Sequence, residues 1–235
     1  MTASLIDRAE VAGYEALVVT LDTPLPGWRE RELQQAALPF YDGHGMANYH
    51  TDDAFRDTLS VPPEEDQAVA VQHLLDTFDD PGRTWADLES LAERTDLPLL
   101  VKGILHPEDA ELAVEHGADG VVVSNHGGRQ VDGSVGALTA WPGVFDAVGE
   151  DAAVFFDSGV RSGADVVRAV ALGADAVLLG RPYVYGLAVG GVDGVEAVLR
   201  NLLAELDLTL ALSGYAAVDD VDRSAVVERS TAVRR

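Results

Sequence analysis

Two junctions of the same form recur in this chain: an amphipathic segment ends, Gly-Ala-Asp follows, and an apolar run begins. One is Gly117-Ala118-Asp119 ahead of Gly120-Val121-Val122-Val123; the other is Gly173-Ala174-Asp175 ahead of residues 176–179. Short runs that are apolar on both faces suit parallel strands covered by helices, so each junction reads as the end of a helix feeding a buried strand. Repetition of such βα units favours a parallel barrel over an open sheet. The same rhythm predicts helices over 5–12, 85–94, 107–116, 163–172 and 192–206, and strands over 16–21, 97–103, 120–123, 152–156 and 176–179. Pro107 stands in the first turn of its helix, where its missing N–H costs nothing.

The expected class is α/β, a TIM-type (β/α)8 barrel. About five strands are legible where a closed barrel needs eight, and a barrel typically takes about 250 residues. The chain opens on a helix with no strand before it, so the expectation is a barrel truncated at its N-terminal side to the last five βα units. Such an arc exposes two sheet edges and an apolar interior. Residues 1–215 form this partial barrel and 216–235 a polar tail. Residues 23–84 interrupt the rhythm and read as a long loop after the first strand, of the kind that serves as a lid or assembly segment.

Forty acidic residues face sixteen basic ones, giving a net charge of -24, and Lys102 is the only lysine. Self-repulsion on this scale is relieved by screening, which predicts adaptation to a high-salt cytoplasm and argues against nucleic acid or anionic membrane as partners. With no cysteine, disulfides and thiolate metal sites are excluded. Neither a leader pattern at Met1-Thr2-Ala3-Ser4 nor a membrane-length apolar run is present, so the expected location is cytoplasmic.

Nearly every strand ends on polar residues. The first offers Thr20 and Asp22, with Arg29 beyond; the second Lys102; the third Ser124, His126 and Arg129; the fourth Asp157-Ser158-Gly159-Val160-Arg161; the fifth Gly180-Arg181. Strand ends gather at one face of a barrel, so these groups are expected to converge on one cavity. A histidine takes a proton near neutral pH, an arginine holds a carboxylate with paired hydrogen bonds, and the two glycine–arginine clusters suit a phosphate. His44, His50, His73, His106 and His116 show no metal spacing. Trp28, Trp85 and Trp141 read as packing, with Trp28 also placed to line a substrate site beside Arg29. Glu64-Glu65-Asp66 reads as a solvated helix start, and Asp79-Asp80 and Asp219-Asp220 as solvated surface.

Ser124-Asn125-His126-Gly127-Gly128-Arg129-Gln130, Asp157 to Arg161, Gly180-Arg181-Pro182, Thr20-Leu21-Asp22-Thr23-Pro24 and Gly27-Trp28-Arg29-Glu30 together resemble the FMN-dependent α-hydroxy-acid oxidase and dehydrogenase family. The likeness covers about residues 5 to 215. Gly27-Trp28-Arg29-Glu30-Arg31, Leu38-Pro39-Phe40 and Ala47-Asn48-Tyr49 are most similar to its lactate 2-monooxygenase branch. The resemblance implies His126 as catalytic base with Asp22 as its carboxylate partner, and Arg29 and Arg129 as holders of the substrate carboxylate. It further implies Thr20, Lys102 and Ser124 at the flavin, and Asp157, Gly159, Arg161, Gly180 and Arg181 at the FMN ribityl phosphate. The implied reaction oxidises a lactate-like (S)-2-hydroxy acid to a 2-oxo acid, with oxygen as one possible acceptor, in a homo-oligomer that the family makes tetrameric. The family's first three βα units have no counterpart here, so weak FMN binding and little turnover are expected unless a second chain supplies them. Other readings left open are an inactive remnant and another FMN- or phosphate-binding barrel.

Overall fold

The computed structural model describes residues 1–36, 39–78 and 80–227. Leu38, Asp79 and the last eight residues of the expected polar tail lie outside the described residues. The chain runs α1 (Thr2–Val11), β1 (Leu17–Thr20), α2 (Glu30–Gln35), α3 (Ala47–His50), α4 (Asp53–Arg56), α5 (Gln67–Phe78), α6 (Trp85–Ala92) and β2 (Leu99–Ile104). It continues through α7 (Pro107–Glu115), β3 (Gly120–Val123), α8 (Ala137–Val148), β4 (Ala153–Phe156), α9 (Gly163–Ala171), β5 (Ala176–Val177) and α10 (Arg181–Ser213). All four strand pairs are parallel, in the order β1-β2-β3-β4-β5. Among the described residues β1 and β5 each have one neighbour, so the sheet is an arc of five consecutive barrel units.

The repeated Gly-Ala-Asp has a local cause. Gly117 (φ 94°) and Gly173 (φ 98°) adopt left-handed backbone that a side chain disfavours. Each closes its helix with two bonds: Gly117 N to Val114 O and Ala118 N to Ala113 O in one, Gly173 N to Val170 O and Ala174 N to Ala169 O in the other. That is the Schellman arrangement, which satisfies the helix's last carbonyls, and the small alanines pack within it. The aspartate then reaches sideways. Asp119 Oδ2 accepts from Leu99 N and Asp175 Oδ2 from Val154 N, both at 2.8 Å, tying each strand's start to its neighbour.

Alternation along the strands separates two faces. Leu99, Val101, Val121, Val123, Val154 and Phe156 join Ala110, Ala113, Trp141, Val144 and Val148 from the helices in the main core. Leu17 and Val19 of β1 pack on this core, which turns Val18 and Thr20 to the inner face, where Val18 is 54% exposed. Lys102 lies on the same inner side, between Val101 and a β-bulge that ends at Ile104.

Residues 23–84 are more ordered than a loop. Asp52 caps α4 through Ala54 N, and Asp66 accepts from Ala68 N and Val69 N at the start of α5. Met46, Phe55, Ala70, Val71 and Leu74 form a second small core. Nearly fully buried Asp52 ties this segment to α1, accepting from Ser4 Oγ at 2.7 Å and Arg8 Nη1 at 3.0 Å. The expected helix 192–206 is part of a longer α10, whose Gly190 and Gly191 break the helical backbone. β5 is shorter than expected, its ladder ending with Leu178 N on Phe156 O. Beyond residue 215, Val221 packs with Val167, Ala171 and Leu210.

Candidate functional site

The C-terminal ends of β2, β3 and β4 bring Lys102, Ser124 and Asp157 together. Lys102 Nζ donates to Ser124 Oγ at 3.0 Å and lies 3.1 Å from Asp157 Oδ2, while Ser124 Oγ donates to the same Oδ2 at 2.6 Å. His126 N donates to Ser124 Oγ at 3.0 Å. The fully buried Ser124 hydroxyl thus uses its donor and both acceptor sites. Burial raises the Asp157 carboxyl, but the Ser124 hydroxyl and the Lys102 ammonium more than offset it and hold it below its ordinary value. Two of the three ammonium protons are engaged, and the third can serve a ligand.

β3 continues into a tight turn, His126–Gly128, begun by Asn125, whose side chain accepts from Gly128 N. His126 (φ 56°) and Ser158 (φ 83°) both hold left-handed backbone, a strain that persists only where surrounding contacts impose it. Here Ser158 Oγ accepts from Asn125 N and Gly127 N at 3.2 and 3.1 Å, and Arg181 Nη2 donates to Gly127 O at 3.1 Å. The imidazole Nδ1 stands 3.1 Å from Asp22 Oδ1, across from the end of β1. Gly103 makes room for that carboxylate: a Cβ there would fall 2.6 Å from Asp22 Cγ. With Nδ1–H donated to Asp22, Nε2 is the basic atom. Asp22 also lines a cavity of about 760 Å³ between β1, α5 and α6, together with Leu21, Phe55 and Trp85.

The two arginines meet on a carboxylate. Arg29 Nη1 lies 3.4 Å from Glu32 Oε2, and Arg129 Nη2 bonds Glu32 Oε1. The Arg129 hydrogen bond holds the Glu32 carboxyl below its ordinary value. Gln130 organises the segment after β1: its Nε2 donates to Asp22 O and Leu25 O, and its Oε1 accepts from Arg29 Nη2 at 3.1 Å.

Gly159 and Gly180 end β4 and β5 beside Arg161 and Arg181. A Cβ on either glycine would meet nothing within 4 Å, so both positions border open space, Gly180 at the start of α10. The Arg161 side chain makes no ion pair or hydrogen bond with the described residues and is exposed. Open backbone, two cations and a helix N-terminus fit a phosphate, and Lys102 and Ser124 fit the polar edge of a flavin. Thr20 is exposed on the inner face.

All of the expected site residues therefore lie at one end of the sheet. Glu32, Gln130, Ser158 and Gly103 were not singled out for a role. Gln130 and Ser158 sit inside the recognised segments, which was a usable signal; Glu32 and Gly103 carried none, because their partners are distant in sequence. Trp28 departs from the packing expectation, being 82% exposed, because the Arg29 turn presents it to solvent. Trp141 and Trp85 do pack, the latter stacked on His116. Among the described residues no three metal-ligating side chains cluster; His106 caps α7 through Glu108 N, and His73 bonds Thr58.

Known proteins resemble this chain. The chain is 44% identical over 225 residues to the L-lactate oxidase of Lysinibacillus sphaericus, covering 96% of this chain and 58% of that protein. It is 41% identical over 239 residues to the 2-hydroxyacid oxidase 1 of Homo sapiens, covering 100% of this chain and 62% of that one. A soluble mutant of the membrane-associated (S)-mandelate dehydrogenase of Pseudomonas putida superposes with a TM-score of 0.80 at 34% identity, covering 97% and 61%. The chain thus spans less than two thirds of the length of these relatives. With residues 1–228 matched by the model of the FMN-dependent dehydrogenases, the chain belongs to that family.

Proposed function

We propose that these residues serve the FMN-dependent oxidation of a lactate-like (S)-2-hydroxy acid to the 2-oxo acid. The observation that carries this reading is the His126–Asp22 pair, tied through Gln130 to Arg29, which meets Arg129 on Glu32. The acid loses two protons and two electrons. Arg29 and Arg129 hold its carboxylate, His126 Nε2 takes one proton, and Asp22 stabilises the imidazolium that results. Bound FMN would supply the acceptor for the electron pair and for the second proton. Lys102 would favour negative charge on the reduced cofactor, an effect strengthened by its 16% side-chain exposure. Gly159, Arg161, Gly180 and Arg181 would hold the phosphate, Asp157 the ribityl chain, and Thr20 the flavin edge.

The stretches Gly27-Trp28-Arg29-Glu30-Arg31, Leu38-Pro39-Phe40 and Ala47-Asn48-Tyr49 favour the lactate 2-monooxygenase branch, with oxygen as electron acceptor. The acidic surface further supports a high-salt cytoplasm as the setting. The working form we infer is a homo-oligomer, with residues 1–215 as barrel units, and a second chain supplying three further units is an alternative route to a closed barrel.

Spectroscopy of the purified protein tests the reading. FMN in excess is expected to bind weakly, with a shift of its visible bands, and anaerobic L-lactate to bleach the bound fraction slowly in the parent but not at all in His126→Asn. Bound flavin that no 2-hydroxy acid bleaches would refute it.

A further inference from the structure

The carboxylate that joins Arg29 to Arg129 belongs to the chain itself. Glu32 lies one helical turn after Arg29 in α2, so its Oε2 meets Arg29 Nη1, while its Oε1 meets Arg129 from the loop after β3. Among the described residues Glu32 is the one ion-pair partner of Arg129. Chemically it is the same group as the head of a hydroxy-acid substrate. We propose that Glu32 is a resident competitor in this clamp, which an incoming carboxylate displaces, so that Glu32 sets how strongly the site holds its substrate. The inference rests on the hydroxy-acid reading above.

Three observations favour exchange over a permanent brace. The contact to Arg29 is long at 3.4 Å, and Arg29 is independently held by Gln130 Oε1 at 3.1 Å, so it keeps its place when Glu32 leaves. The side chains of Glu32 and Arg129 are 32% and 43% exposed, which allows water to replace either partner during the exchange. α2 has six residues, lacks a side-chain cap and holds no buried residue, so little packing resists withdrawal of Glu32. Charge decides the sign. Two guanidiniums with Glu32 present +1 to an anion; without the Glu32 charge they present +2, and a carboxylate near Glu32 is repelled by it.

Calorimetric titration with pyruvate and with oxalate, with FMN present and at fixed ionic strength, tests the proposal on the parent chain, Glu32→Gln, Glu32→Ala and Arg129→Met. Circular dichroism establishes that each variant is folded. Both Glu32 variants are expected to bind the carboxylates at least tenfold more tightly than the parent, and Arg129→Met to lose binding. Affinity unchanged or weakened in both Glu32 variants, with Arg129→Met still impaired, would overturn the competitor role and leave the clamp intact. Absence of binding in parent and Glu32 variants alike, or binding indifferent to Arg129→Met, would overturn the clamp reading and this inference with it.

Discussion

Replacing Asp157 by asparagine probes the centre of the site. Lys102 and Asp157 lie 3.1 Å apart with side chains 16% and 15% exposed. At that distance, and an effective dielectric of about 20, the charges attract by about 5 kcal/mol. Desolvation of both groups cancels much of this in the intact pair, but asparagine leaves the Lys102 charge desolvated without its counterion. Breaking a buried pair from one side costs about 3 kcal/mol or more, so Asp157→Asn is expected to lose about 3 kcal/mol in urea unfolding at neutral pH. Melting should fall by about 6–12 °C for a chain of this size. Lys102→Met in the same background should recover part of the loss, since the double variant no longer strands a charge. The pH dependence has a definite sign. The folded Asp157 carboxyl lies below its ordinary value of 3.8, so its stabilisation is complete above that value and is lost as pH falls through the depressed one. The gap between parent and variant should therefore be constant above about pH 5 and close below about pH 4. Comparing the two proteins at each pH removes the effect of the -24 net charge, which both carry apart from one unit. A variant within about 0.5 kcal/mol of the parent, a smaller change than a broken buried pair allows, would refute the reasoning; so would a gap that persists in acid.

The paired helix ends make a graded prediction. A Cβ on Gly173 would fall 2.5 Å from Phe145 Cζ and on Gly117 2.8 Å from the Ala92 Cβ, and both positions hold left-handed backbone. Gly173→Ala should cost about 3 kcal/mol and Gly117→Ala about 2, from backbone strain plus overpacking, and thermal melts showing the opposite order would count against this account. The charge makes another: folded fraction by circular dichroism should rise with KCl, since screening relieves self-repulsion, and full folding in dilute buffer would refute the high-salt adaptation.

The sheet was legible in the sequence because its determinants are local. Gly117 and Gly173, with the aspartates two residues later, mark helix end and strand start within a few positions. Within 23–84 only the start of α5 is legible, at Glu64-Glu65-Asp66; α3 and α4 span four residues each, too short to show a period. The order of the segment comes from Phe55 meeting Val71 and Leu74, and from Asp52 meeting Ser4 and Arg8. In the site, residue types at strand ends announced His126, Lys102 and the arginines. The resemblance also supplies Asp22 as the partner of His126 across 104 residues, but nothing local announces Glu32, which meets Arg129 across 97. The pairing of Lys102 with Asp157 was hidden for the same reason. The resemblance puts each at a different part of the cofactor, and only the parallel order of β2, β3 and β4 brings them to one hydroxyl.

That order also explains how strained groups are held. In a sequential parallel sheet each loop stands between those of the units before and after it, so braces come from neighbouring strand ends. Asp22, after β1, lies against the Gly103 backbone of β2. The turn after β3 is gripped by Ser158, after β4, and by Arg181, after β5. Among the described residues Ser158 makes no hydrogen bond to the imidazole or to an arginine, yet its hydroxyl takes the N–H groups of Asn125 and Gly127 on both sides of His126. The left-handed backbone of His126 is therefore fixed from β4, and the imidazole faces Asp22 because two other units leave its loop no other path. A base placed this way owes its position to the tertiary order of the strands. Its own seven-residue segment supplies the chemistry, and the neighbouring loops supply the direction.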